Sequence, residues 1–243
     1  MTDPIIAAEG VQKRFGALVV LDGVDFSVAG GDAVGIVGPN GAGKTTLLNV
    51  LAGSLRPDRG RVLLRGSDVT RAGPARRCRL GVGRAHQVPR PFGDMTVFEN
   101  VLVGAATGAG GRRRDAYERA IAALELCRLG ALANRRAESL GLLDRKRLEL
   151  ARALATDPSV LLLDEIGAGL TDAEAEALVE TIRSLQARGI AIVWIEHIVH
   201  VLVSVVGRLV AMDGGRVIAE GDPGEVMRDA RVIDAYLGGA RVA

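Results

Sequence analysis

Gly38-Pro39-Asn40-Gly41-Ala42-Gly43-Lys44-Thr45-Thr46 is the stretch on which the fold turns. It fits Gly-x-x-x-x-Gly-Lys-Thr, with an apolar run before it (Ala33 to Val37) and a helical pattern after it (Thr46 to Ala52). A strand in front and a helix behind is the context such a motif requires. The glycines let the backbone wrap a triphosphate, so that several N–H groups converge on the anion at a helix N-terminus, which marks Gly38, Asn40, Gly41, Ala42 and Gly43 as binding residues. Lys44 can reach the β- and γ-phosphates, the Thr45 hydroxyl can ligate Mg²⁺, and Thr46 opens the helix. A glycine-rich turn that holds no ligand would not carry Lys-Thr at this offset. The chain is expected to bind a nucleoside triphosphate.

Working outward, the 243 residues suit one large domain or a core with a subdomain. With 48% hydrophobic and 25% charged residues, the composition is that of a soluble globular protein. A net charge of +2 gives no mandate for nucleic acid. The basic residues are nearly all arginine, clustered at 71–90, 112–114 and 145–147, and solvated faces account for such clusters. Met1-Thr2-Asp3-Pro4 does not open a signal peptide, and the most apolar stretch, Ile198 to Met212, is broken by His200 and Arg208 before it reaches membrane-spanning length. Cys78 and Cys127 have no metal-like spacing, which fits a reducing compartment.

The first third reads as strand-rich, with short runs at Ile5 to Ala7, Val19 to Leu21 and Val24 to Val28 between glycines, and a further strand at Arg61 to Arg65. The middle, from about Pro89 to Thr156, changes to helical periodicity at Asp115 to Leu129 and Asp144 to Ala155, after a Gly-rich break at Thr107 to Gly111. Strands Val160 to Leu163, Ile190 to Ile195 and Leu209 to Met212 then alternate with helices at Asp172 to Arg188 and Ile198 to Val206. Such alternation around a phosphate loop implies a mostly parallel sheet in an α/β fold.

Val160-Leu161-Leu162-Leu163-Asp164-Glu165 is an apolar strand ending in two carboxylates. Alone, an acidic pair after a strand reads as a solvated turn. Beside a phosphate loop, Asp164 is placed to hold the Mg²⁺ shell, and Glu165 to orient or deprotonate an attacking water. His197 and His200, with Glu196 beside them, have a suggestive His-x-x-His spacing, but no third ligand is indicated.

Four further segments fall in order around these motifs: Lys13-Arg14-Phe15-Gly16, Arg84-Ala85-His86-Gln87-Val88-Pro89-Arg90-Pro91-Phe92, Gly169-Leu170-Thr171-Asp172 and Ile192-Val193-Trp194-Ile195-Glu196-His197. Over essentially its whole length the chain resembles the ATP-binding subunit of an ABC transporter. The resemblance implies a P-loop NTPase fold: a RecA-like, mostly parallel sheet, an N-terminal antiparallel β subdomain and an inserted α-helical subdomain. Residues 1–243 would form one such ATPase domain, with 1–88 and 157–243 as the nucleotide-binding core lobe and 89–156 as the helical subdomain. It implies that Phe15 stacks on adenine, that Gln87 meets Mg²⁺ and the attacking water, and that Gly169 to Asp172 crosses a dimer interface. His197 would act as the switch histidine on the γ-phosphate. Gln87 to Phe92, Met95 to Gly104 and the tail from Ala219 to Gly238 resemble ATPases of the branched-chain amino-acid uptake family, whose relatives handle other amino acids, amides or urea. The implied cofactors are ATP and Mg²⁺. The implied partners are a second ABC ATPase subunit and transmembrane permease subunits, at the cytoplasmic face of the membrane. A helical segment near Gln87 to Val103 would receive the permease.

The chain departs from that family at one place. The signature Leu-Ser-Gly-Gly-Gln should stand just before Arg145-Lys146-Arg147-Leu148-Glu149-Leu150-Ala151-Arg152, yet the residues are Leu140-Gly141-Leu142-Leu143-Asp144. In the family this loop reaches the partner's γ-phosphate. Backbone N–H groups of Gly141 and Leu142 survive the change, but the serine hydroxyl does not, a loss of about 1.5–3 kcal/mol for a bond to a charged acceptor. Two readings stay open: a weakened signature, or a variant whose backbone does the same job. A regulatory subunit that hydrolyses little and a soluble nucleic-acid-associated ATPase are the competing functions. The latter usually carries two such domains or a coiled-coil insertion, neither of which is seen, so no nucleic acid is expected.

Overall fold

The apolar runs before the phosphate loop, before the acidic pair and before His197 are fully buried strands, in a computed structural model that describes residues 3–108 and 113–238. In chain order the elements are β1 (Pro4–Phe15), β2 (Leu18–Ala29), β3 (Ala33–Val37), α1 (Lys44–Ala52), β4 (Arg59–Leu64), β5 (Ser67–Asp68), α2 (Pro74–Arg79), β6 (Val82–Ala85), α3 (Val97–Thr107), α4 (Arg113–Leu126), α5 (Leu142–Leu154), β7 (Val160–Asp164), α6 (Asp172–Gln186), β8 (Ala191–Ile195), α7 (Val199–Val203), β9 (Arg208–Asp213), β10 (Arg216–Gly221), α8 (Pro223–Val226) and α9 (Ala230–Gly238). The Gly-rich break from 109 on and Arg112 lie outside the described residues, as do the side chains of Arg113 and Arg114.

Six strands form a sheet in the order β10-β9-β3-β8-β7-β6, parallel from β9 to β6, with β10 antiparallel on the edge. Alternate residues feed opposite faces, as a period of two requires. Val37, Leu161, Leu163, Ile192, Trp194 and Leu209 join the core shared with α3, α4, α5 and α6. Ile36, Leu162, Val193, Ile195 and Val210 join the core under α1 and the second sheet. With both faces covered, these strands read as continuous apolar runs. The second sheet, β2-β1-β4-β5, is antiparallel, so the fold class implied by the sequence is the one observed.

Three local readings are corrected. The short N-terminal runs are two strands of 12 residues each. Gly10 (φ 56°) and Gly23 (φ 70°) lie inside them, where the β1–β2 register shifts, so these glycines bend the ladder without ending it. Residues 88–96 are loop, because Pro89 and Pro91 cannot continue a helix and Gly93 follows. Helix begins only at α3, under a capping box in which Glu99 N–H donates to the Thr96 hydroxyl and Thr96 N–H to Glu99. Buried Asn100 pins the loop instead, accepting from Phe92 N–H at 2.8 Å and donating to the Phe92 and Thr96 carbonyls. Finally, the helix expected over Ile198 to Val206 is the short α7 alone.

Candidate functional site

Adjacent parallel strands β3, β8, β7 and β6 release their chains at the same sheet edge, and each exit carries a residue singled out in the sequence. Gly38 follows β3, His197 follows β8, Asp164 and Glu165 close β7, and Gln87 follows β6. With strands about 4.8 Å apart, four neighbours gather these residues into a crevice at the carboxyl ends, where open α/β sheets bind ligands.

The phosphate loop turns sharply out of β3. Gly38 has φ 147°, and a Cβ there would stand 2.1 Å from the Met212 carbonyl oxygen, so no other residue fits. Gly43, at φ 100°, sits against the Val20 carbonyl of β2 and caps α1 with no side-chain hydrogen bond, leaving the first N–H groups of the helix uncapped by any side chain. Ala42 is buried under the loop, while Asn40, Gly41 and Thr45 are exposed and Thr46 is half-buried. Lys44 is buried, with Nζ donating to the Gly38 and Pro39 carbonyls at 2.7 and 3.0 Å. Burial lowers its pKa, opposed by the charges of Glu165 and Asp164.

Glu165 is the centre of the crevice. Its backbone is left-handed (φ 48°), uncommon for a residue with a side chain, and its N–H donates to the Ile195 carbonyl of β8 at 2.8 Å. Such a conformation costs on the order of 1–3 kcal/mol and persists where surroundings impose it. The carboxylate lies between two partners. Gln87 Nε2 donates to Oε2 at 2.5 Å, and His197 Nε2 meets Oε1 at 2.6 Å. The structure therefore brings Gln87, Glu165 and His197 into direct contact.

Asp164 is buried, and its Oδ2 accepts from Arg84 of β6 at 2.9 Å. Arg84 also donates to Asn49 Oδ1 of α1 at 2.6 Å, so one guanidinium ties the strand before Gln87 to the acid and to the phosphate-loop helix. The other Asp164 oxygen, the Gln87 amide oxygen and the Thr45 hydroxyl are hard oxygen donors that suit Mg²⁺. Among the described residues, no group of three or more His, Cys, Asp or Glu side chains is arranged to hold a metal.

Sequence reading missed three contributors. Arg84 is one. Glu196, read only as a doubtful metal ligand, is 2% exposed, and its carboxylate accepts from the N–H groups of Gly167 and His197, each at 2.9 Å. It thereby fixes the loops after β7 and β8 to one another. Lys146 of α5 is also buried, its pKa lowered by burial and drawn back by Glu196 and Glu165. A charged residue at the end of an apolar strand was the available signal for Glu196; Arg84, in a strand the sequence does not mark, and Lys146 had none.

Phe15 is 49% exposed on the β1–β2 hairpin, with Lys13 Nζ 5.7 Å above its ring. The same hairpin supplies the Val20 carbonyl beside Gly43, so the ring is offered to solvent near the loop. Gly141 is the N-cap of α5, with φ −68°, ψ 173° and no side-chain cap, and Leu142 begins the helix. Leu142 is 47% exposed and lies against Gly169 of the loop before α6. No described contact joins Gly141 or Leu142 to the phosphate loop of the same chain. Ser139 is in the preceding turn, its hydroxyl donating to the Arg136 carbonyl at 2.8 Å.

Residues 21–168 match the family described as ABC transporter, and residues 216–242 match that described as Branched-chain amino acid ATP-binding cassette transporter. The chain is 35% identical to the probable branched-chain amino acid transport ATP-binding protein LivG of Methanocaldococcus jannaschii, over 98% of both chains. It is 36% identical to the high-affinity branched-chain amino acid transport ATP-binding protein LivG of Escherichia coli, over 99% of this chain and 100% of that one. The solved ADP conformation of MJ1267, an ATP-binding cassette of an ABC transporter, matches with a TM-score of 0.88 at 34% identity, covering 98% of this chain and 100% of that one.

Proposed function

This chain belongs to the ABC transporter ATP-binding family, and from that premise we propose that it is the ATP-hydrolysing subunit of an importer for a small polar solute. The observation that carries the reading is the Glu165 carboxylate held between Gln87 and His197, beside a loop built for phosphate. The solute is taken as a branched-chain amino acid or a related amino acid, amide or urea, in keeping with the names of the relatives and the match at residues 216–242. Separate permease subunits would hold the chain at the cytoplasmic face of the membrane. No helix among the described residues is long and apolar enough to cross a membrane itself. Val88, Phe92 and Met95, exposed on the loop before α3, offer an apolar surface to such a permease. Residues 89–156 form the helical subdomain in this reading, and 1–88 with 157–243 the core lobe.

The chemistry follows from the crevice. Backbone N–H groups from Asn40 to Thr46 and the Lys44 ammonium receive the phosphates, and Phe15 supplies a face for adenine. Thr45, Asp164 and Gln87 would hold Mg²⁺, which supplies charge neutralisation on the phosphate oxygens. Both Glu165 oxygens are engaged by protein groups, so one contact yields when Glu165 accepts a proton from water. His197 then stands beside the γ-phosphate as its hydrogen-bonding switch.

The site is completed by a second ATPase subunit. Gly141 and Leu142 open α5 with exposed backbone, so they can meet a partner's γ-phosphate through N–H groups but without a hydroxyl. Asp144 adds a carboxylate to the first turn of that helix, favourable to the helix dipole and repulsive to phosphate. In a heterodimer this leaves one strong and one weak site; in a homodimer, two weak ones. Restoring the hydroxyl by Gly141→Ser should raise steady-state hydrolysis by the site it faces about tenfold. An unchanged rate would mean that the backbone already does the work.

The transport reading is tested by reconstitution with candidate permeases in proteoliposomes. ATP-dependent accumulation of leucine, an amide or urea is expected, with hydrolysis stimulated by the same solute. Hydrolysis indifferent to permease and solute would overturn it.

A further inference from the structure

The C-terminal helix reaches the root of the phosphate loop. Asp222 starts this tail by capping α8, accepting from the N–H groups of Gly224 and Glu225 at 2.8 and 3.2 Å. Val232, 1% exposed, anchors α9 in the main core. One turn further on, Tyr236 places its hydroxyl 2.9 Å from the amide nitrogen of Gly38, so the Gly38 N–H donates to the phenol oxygen across 198 residues of sequence. Burial does not explain where this ring goes. Tyr236 remains 40% exposed, and its helix neighbours Ile233 and Leu237 are 43% and 64% exposed. Burial of the hydroxyl end raises the phenol pKa, opposed by the hydrogen bond from Gly38, so the group is neutral at pH 7 and its oxygen is free to accept.

Gly38 is where the loop leaves β3. Its Cα side faces the Met212 carbonyl with no room for a Cβ, and its N–H is held by Tyr236. The two contacts fix the direction in which the following amides, from Asn40 to Thr46, project.

We propose that Tyr236 is a positioning residue for the phosphate loop: by accepting the Gly38 N–H it holds the loop ready for phosphate, so that nucleotide affinity depends on the docking of α9. The inference rests on the reading of Gly38 to Thr46 as the nucleotide site.

Tyr236→Phe removes one oxygen atom and leaves the packing of the ring. In the full chain, Mg-ATP binding and hydrolysis should show Kd and KM raised about two- to tenfold, with kcat within about twofold, because ground-state and transition-state binding weaken together. Hydrogen exchange at the Gly38 amide should quicken in the same variant. If Tyr236→Phe binds and exchanges as wild type does, whatever its melting temperature, the positioning role is overturned while the nucleotide site stands. A wild-type chain that binds no Mg-ATP would overturn the site and the inference together.

Discussion

Glu165→Gln is expected to lower ATP hydrolysis by at least about a hundredfold while leaving ATP binding intact. A positioned general base contributes about 10²–10⁴-fold, and glutamine keeps the size of glutamate but cannot take a proton. The amide can still bridge Gln87 and His197, which lie 2.5 and 2.6 Å from the two carboxylate oxygens, so the crevice should keep its shape. The variant should therefore accumulate ATP-bound dimers, visible as a larger species on size exclusion in the presence of Mg-ATP. Turnover within about twofold of wild type, with no change in assembly, would remove Glu165 from the role of base.

Arg77→Ala is expected to cost about 3–5 kcal/mol of stability without touching the site directly. Arg77 is 0% exposed and spends its guanidinium entirely on backbone carbonyls. It donates to Val50 and Leu51 at the end of α1, to Val69 and Thr70, and to Ala72, at 2.6 to 3.3 Å. The α1 carbonyls are among those a helix leaves unpaired at its C-terminus, where a cation also complements the helix dipole. Burial lowers the guanidinium to about 10, so it is still charged at neutral pH, and the cost of burying that charge is offset by its five acceptors. Truncation takes a donor from all five carbonyls, of which Val50 and Val69 keep the N–H groups of Gly53 and Ala72 while Leu51, Thr70 and Ala72 are stranded, and it opens a cavity beside the helix that carries Lys44 and Thr45. The melting temperature should fall by roughly 8–15 °C for a chain of this size. Lysine, with one point charge in place of the planar fork, should recover only part of the loss. A fall of less than about 3 °C would show that water satisfies the stranded carbonyls.

Legibility in the sequence followed burial and spacing. β3, β7 and β8 could be read directly because each is buried on both faces and carries an unbroken apolar run. β6 could not, since its Val82-Gly83-Arg84-Ala85 is short and carries a charged residue whose partners, Asn49 and Asp164, come from other elements. Gly23 of β2 reads as a stop because a bulge and a turn call for the same residue. Local spacing marked the phosphate loop and the acidic pair. Gln87 and His197 were marked only by resemblance, since what gathers them at Glu165 is the order of parallel strands. The Tyr236 contact, 198 residues from its partner, left no mark that a sequence pattern can carry.

The proposed site is half of a composite, with a complete phosphate loop and acid pair but an α5 N-terminus that lacks a hydroxyl. Single-turnover hydrolysis of Mg-ATP by the purified chain, alone and with a second ATPase subunit bearing an intact Leu-Ser-Gly-Gly-Gln, tests this most directly. Hydrolysis by the chain alone should be slow and rise with its concentration, and the second subunit should accelerate it. Brisk hydrolysis by the chain alone, at a rate independent of concentration and unchanged by the second subunit, would contradict it.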